Sequence, residues 1–207
     1  MSTTDDVRAA PAAGTRDLDR YALVVVDVQQ GFDDAGYWGP RDNPGCDAAI
    51  DELVRTWTSR GRPVVVVQHA STDPRSPLHP SSPGHALKPY VADALAHASD
   101  RAPAALVVTK SVNSSFHGSP DLDAWLRDQR LAGIVVCGIT TNHCCETTAR
   151  VGGNLGHDVL FAIDATHTFD RSAPDGSVVS AAELSRVTAT NLHGEFATVV
   201  ATRDLLG

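Results

Sequence analysis

Three residues far apart in the chain have the side-chain types that acyl transfer needs: a carboxylate at Asp27, an ammonium at Lys110 and a thiol at Cys144. A free thiol, with a pKa near ~8.5, is mostly un-ionised at neutral pH. A helix N-terminus carries about half a positive charge and favours the thiolate, and a nearby ammonium favours it further. A carboxylate can take the thiol proton and later pass it to a departing amine. The turn Gly138-Ile139-Thr140-Thr141-Asn142-His143 leads into Cys144. Backbone N–H groups at Thr140 and Cys144 can there form an oxyanion hole, in which one lost donor costs roughly 3 kcal/mol of transition-state stabilisation. Such a set performs acyl transfer through a thioester, followed by hydrolysis, and its substrate would be a small-molecule amide.

These residues must be brought together by the elements that carry them. Six apolar runs, at residues 22–28, 63–69, 104–109, 133–137, 158–163 and 197–201, are rich in Val, Ile and Leu. Their continuous apolar character predicts parallel strands covered on both faces. Helices are predicted over 44–60, where Ile50, Leu53, Val54 and Trp57 share one face, and over 120–130, with Ser119 as N-cap and Pro120 in the first turn. Two more are predicted over 143–155 and 179–192. The alternation predicts a three-layer α/β/α, Rossmann-like domain with a six-stranded parallel sheet. Ligands bind such sheets outside the carboxyl ends of the strands, which is where Asp27, Lys110 and the turn before Cys144 fall. Residues 70–89 carry five prolines (Pro74, Pro77, Pro80, Pro83 and Pro89) and read as a long ordered loop forming a lid or wall.

The chain has 207 residues, 42% hydrophobic and 20% charged, with a formal charge of −8. This suits one domain over residues 18–207, preceded by a flexible arm at 1–17. The acidic balance excludes the basic face that a nucleic-acid or anionic-membrane binder needs, and no apolar run approaches a membrane span. The arm lacks the apolar stretch of a secretory signal. The four cysteines, Cys46, Cys137, Cys144 and Cys145, include no C-x-x-C pair. A cytoplasmic protein with reduced thiols and no structural zinc is expected. Cys145, about 100° further round the helix than Cys144, reads as a packing residue, with an exchange of roles as the alternative.

Phe32, Trp38 and Phe116 follow the first and third strands and are candidate substrate walls, core packing being the other reading. His69, at the end of the second strand, is a candidate substrate contact, a structural histidine being the other reading, and His143, beside the thiol, is a candidate contact to substrate or to a neighbouring subunit. His167 reads as structural support for the rim.

Four segments together resemble the isochorismatase-like cysteine hydrolase family: Leu23-Val24-Val25-Val26-Asp27-Val28-Gln29-Gln30-Gly31-Phe32, Lys110-Ser111-Val112-Asn113-Ser114-Ser115-Phe116, Gly138-Ile139-Thr140-Thr141-Asn142-His143-Cys144, and Asp164-Ala165-Thr166. The resemblance runs in order from about Tyr21 to the C-terminus. It implies an Asp–Lys–Cys triad at Asp27, Lys110 and Cys144, a cis peptide before Thr140, and a homo-oligomer, dimer or tetramer. The family holds amidases, among them nicotinamidases, carbamoyl-amine hydrolases and streptothricin hydrolases, and also isochorismatases that cleave a vinyl ether without the cysteine. Cys144 therefore implies an amidase. Nicotinamidases bind a metal through an Asp-x-His pair, which this chain lacks, so neither a metal nor another cofactor is expected. A vinyl-ether hydrolase and a non-catalytic binding protein on the same scaffold are the alternatives.

Overall fold

The computed structural model describes residues 16–98 and 105–207. In chain order the elements are β1 (Tyr21–Val26), α1 (Ala35–Trp38), α2 (Cys46–Ser59), β2 (Val64–His69), α3 (Pro89–Ala98), β3 (Ala105–Lys110), α4 (Leu122–Asp128), β4 (Gly133–Ile139), α5 (Glu146–Asn154), β5 (Asp158–His167), β6 (Arg171–Ser172), β7 (Val178–Val179), α6 (Ala181–Leu192) and β8 (Thr198–Val200). Strands β3-β2-β1-β4-β5-β8 form one sheet, parallel throughout, and β6 and β7 form a separate antiparallel ribbon.

All six residues of β1 are buried because both faces of the sheet are covered. Leu23 and Val25 face the layer holding α2 and α3, whereas Ala22, Val24 and Val26 face α4, α5 and α6. The apolar face of α2 lies on the first layer, where Ile50, Leu53, Val54 and Trp57 are buried and the Trp57 indole donates to Tyr21 O at 3.0 Å. The chain leaves β1 toward β2 and β3, then returns to add β4 on the other side. The strand order reverses between β1 and β4, and the carboxyl ends of these two strands therefore frame a crevice.

Several boundaries differ from those expected. The first strand stops at Val26, because Asp27 turns to φ 52°, and β4 and β5 run on to Ile139 and His167. Asp121, not Ser119, caps α4: its side chain accepts from Ala124 N, while Ser119 pairs with Thr109. Helix α3 went unassigned in the sequence; Pro89 starts it and Val91, Ala94 and Leu95 pack on the α2 layer. Residues 1–15 of the expected arm, and Ala104 of the expected third strand, lie outside the described residues. Arg16 is anchored, its guanidinium pairing with Asp158 at 2.7 Å.

Candidate active site

Asp27, Lys110 and Cys144 converge at the crevice between β1 and β4. The Lys110 ammonium donates to Asp27 Oδ2 at 2.5 Å and to Cys144 Sγ at 3.4 Å. The side chains of the ion pair are fully buried. The other carboxylate oxygen, Asp27 Oδ1, is buried with no hydrogen-bond partner among the described residues. Removal of one member of such a pair would leave an uncompensated buried charge, a loss of roughly 3–5 kcal/mol.

Each member is fixed by local chemistry. The backbone of Asp27 donates to Val67 O at 2.9 Å, which aims the side chain over the sheet edge. Lys110 ends β3, and the loop beyond it is tied to α5 where Ser115 N and Oγ meet Thr148 Oγ1 at 3.0 and 2.9 Å. Cys144 lies in a wide π-type turn, Thr141–Cys145, that precedes α5 and follows a cis Ile139–Thr140 peptide. Thr140 O accepts from the N–H groups of His143 and Cys145, which closes that turn. Thr141 Oγ1 donates to Thr166 Oγ1 at 2.9 Å, and Thr166 in turn donates to Ile163 O. The Asp164-Ala165-Thr166 segment thus acts as a clamp behind the site, with Asp164 itself accepting from Thr202 N and Oγ1, both at 2.8 Å. Only glycine suits position 138: φ is 124°, and a Cβ there would lie 2.1 Å from Val26 O.

The pocket above the thiol has a volume of about 130 Å³. Phe32, Trp38, His69 and His143, the candidate substrate contacts, line it together with Thr140. Phe32 and Trp38 form one wall, ring centroids 4.9 Å apart, and the Trp38 indole is held by Gly31 O at 2.8 Å. Leu78 from the proline-rich loop also lines the pocket, so that loop supplies wall. Phe116 does not line it, contrary to its reading as a substrate contact. Its ring packs with the α5 layer and stacks on His157 at 5.7 Å, because the short helical turn at Ser115–His117 swings it away from the crevice. Three lining residues were not singled out in the sequence. Asn113 lies within the lysine segment and its Oδ1 is 3.8 Å from the thiol. Leu78 sits amid prolines, and Arg171 follows a strand whose end the sequence did not mark.

Burial is the largest influence on the thiol and pushes its pKa well up; Asp27 pushes the same way and Lys110 opposes both. Burial and Asp27 thus oppose the pull toward the thiolate that the helix start and Lys110 exert. Burial works against the Lys110 ammonium, but Asp27 and then Cys144 outweigh it and hold its pKa above the ordinary lysine value. The His69 pKa is lowered by burial and then by Lys110, whose Nζ lies 3.3 Å from Nδ1. Gln29 sets this histidine's backbone: Oε1 accepts from His69 N at 2.8 Å and Nε2 donates to His69 O at 3.0 Å. His167 is wholly buried with neither ring nitrogen partnered among the described residues, and burial takes its pKa down to about 3.

Asp27, His69 and Cys144 each present a metal-ligand atom, all within 4.8 Å of one another. The Lys110 ammonium already reaches all three, so a positive charge sits where a metal ion would. No described helix is long and apolar enough to cross a membrane.

A doubly wound parallel sheet with a small pocket at its switch point is the architecture of a Rossmann-like α/β domain with a ligand site between β1 and β4. The isochorismatase domain pattern matches residues 21–192. An uncharacterized isochorismatase family protein of Bacillus subtilis, YrdC, is 35% identical over 188 residues, covering 91% of this chain and 95% of its own. A crystal structure of an isochorismatase-family hydrolase from Chromobacterium violaceum superposes with a TM-score of 0.80 at 36% identity, covering 91% of this chain and 92% of that one. A streptothricin hydrolase of Streptomyces noursei is 32% identical over 170 residues, covering 80% of this chain and 62% of its own. The chain belongs to the isochorismatase family of hydrolases.

Proposed function

We propose that the protein is a cysteine-dependent amidohydrolase that cleaves the C–N bond of a small amide or carbamoyl compound. One observation carries the reading: a single buried ammonium touches both a carboxylate and a thiol at the floor of a pocket. The free oxygen Asp27 Oδ1 takes the thiol proton as sulfur attacks the substrate carbonyl. Lys110 favours the thiolate as it forms, so the high resting pKa is overcome only during attack. N–H groups of Thr140 and Cys144 receive the oxyanion. Asp27 then gives its proton to the departing nitrogen, the C–N bond breaks, and a thioester remains. Water loses a proton to Asp27 and attacks the thioester; the acid leaves and sulfur takes the proton back. Phe32, Trp38, His69 and His143 would contact the substrate. The cycle uses no cofactor. Vinyl-ether hydrolysis has no use for this thiol, and a streptothricin hydrolase stands among the relatives.

Cys144→Ala should abolish amide turnover with an unchanged melting temperature; undiminished hydrolysis would refute the mechanism. Mass spectrometry of a trapped acyl-enzyme should place the adduct on Cys144, whereas Cys145→Ala, at a wholly buried packing position, should retain most activity. An adduct found only on Cys145 would reverse the assignment. A binding protein without turnover would show no adduct on either.

A further inference from the structure

We infer that Arg171 is a carboxylate-binding residue, and that the preferred substrate carries a carboxylate close to its scissile C–N bond. The inference rests on the amidohydrolase reading of Cys144 and specifies its substrate class.

Among the described residues, Arg171 is the one cation below the surface with no carboxylate partner. Arg16, Arg41, Arg62, Lys88, Lys110 and Arg150 are all buried or half-buried, and each is ion-paired. Arg171 instead meets a histidine, with Nη2 3.0 Å from His143 Nδ1. Burial first, and then Arg171, lower the pKa of His143, so this ring is a neutral acceptor and leaves the guanidinium charge unbalanced. Arg171 Nε is buried and has no acceptor among the described residues. A buried donor left unmade is costly, and a ligand acceptor would satisfy it. The residue also lines the pocket that holds Cys144.

The surroundings suit a bound anion rather than a missing internal partner. The adjacent carboxylate, Asp170, also lines the outer chamber but makes no ion pair with Arg171, its Oδ1 accepting from Ala181 N at 2.7 Å. Arg171 is paired through its backbone with Val179 in the β6–β7 ribbon, so the guanidinium is presented from a fixed position. A second, larger chamber of about 530 Å³, walled by Tyr37, Trp38 and Phe169, shares Arg171 and Trp38 with the first. Arg171 therefore stands at the junction between an inner chamber of about 130 Å³, where the carbonyl must sit, and an outer one. A guanidinium offers carboxylate two parallel N–H donors, a geometry that neutral groups do not match. In a chain with a formal charge of −8, this cation marks a part of the pocket, apart from the Lys110 ammonium and the Thr140 and Cys144 N–H groups, that favours an anion.

The test compares isosteric pairs that place the charge on either side of the amide: succinamate against 4-methylpentanamide, and N-acetylglycine against N-isobutylacetamide. At least one acid should show kcat/KM about 10- to 100-fold above its neutral partner, the range of one charged hydrogen-bonded contact. Arg171→Gln should lower that ratio at least tenfold, and Arg171→Lys should restore part of it. An acid preference absent from the wild type, or unchanged in Arg171→Gln, would overturn the inference. Should no amide be turned over, the catalytic reading fails, and calorimetry with succinate decides the site independently. Wild-type binding that weakens at least tenfold in Arg171→Gln supports the anion site; equal binding or none overturns it.

Discussion

Replacement of Asp27 by Asn should lower turnover while making the thiol more acidic. The carboxylate lies within 4.8 Å of Cys144 Sγ, and Lys110 Nζ lies 3.4 Å from the same sulfur. At an effective dielectric near 20, a charge pair 4.8 Å apart interacts by about 3 kcal/mol. Asp27→Asn removes that repulsion from the thiolate and leaves Cys144 as the ammonium's remaining anionic partner. The pH midpoint of iodoacetamide alkylation should therefore fall by at least about one pH unit, after allowance for relaxation of the site. Turnover should nonetheless drop by about 10²–10⁴, because no group remains to carry the proton from sulfur to the leaving nitrogen. Denaturation should show a loss of up to about 3–5 kcal/mol from the broken buried pair. Lys110→Gln should move the alkylation midpoint the other way, since Lys110 favours the thiolate. A midpoint that rises or stays still in Asp27→Asn, or turnover that survives it, would refute the proposed role of the carboxylate.

Phe116→Leu should cost about 1 kcal/mol in urea denaturation and leave KM for a small amide within about twofold, since the ring packs beneath α5 rather than in the pocket. A large rise in KM would return Phe116 to the substrate wall. Gly138→Ala should destabilise by at least about 2 kcal/mol, because a Cβ at φ 124° would meet Val26 O at 2.1 Å; calorimetric unfolding measures it. His167 is held neutral in the fold, with its pKa depressed to about 3, whereas the unfolded chain protonates it near 6.5. Between those values the unfolded state binds more protons, so stability falls as pH falls through that window. His167→Leu should reduce the slope of unfolding free energy between pH 4 and 6 by up to about 1.4 kcal/mol per pH unit; an unchanged slope would show that His167 does not titrate there.

Strands, layers and the rim that gathers Asp27, Lys110 and Cys144 were legible in the sequence, because burial on both faces imposes continuous Val and Ile runs and chain order then places their ends. The same local rules mark the apolar stripe of α2, in which Ile50, Leu53, Val54 and Trp57 recur at helical spacing. Other features depend on contacts between segments distant in the chain. The direction of Phe116 is set by its stacking on His157, and the lone charge of Arg171 is recognisable only once every other sheltered cation among the described residues is seen to have a partner. Neither leaves a periodic trace. The opposing influences on the Cys144 thiol were legible only in part for the same reason: a helix start is a local feature, whereas desolvation sums over every segment packed around the sulfur. Side-chain type and spacing thus determined which groups could react, and the packed fold alone decided their neighbours, their burial and which sheltered cation, among the described residues, has no carboxylate partner.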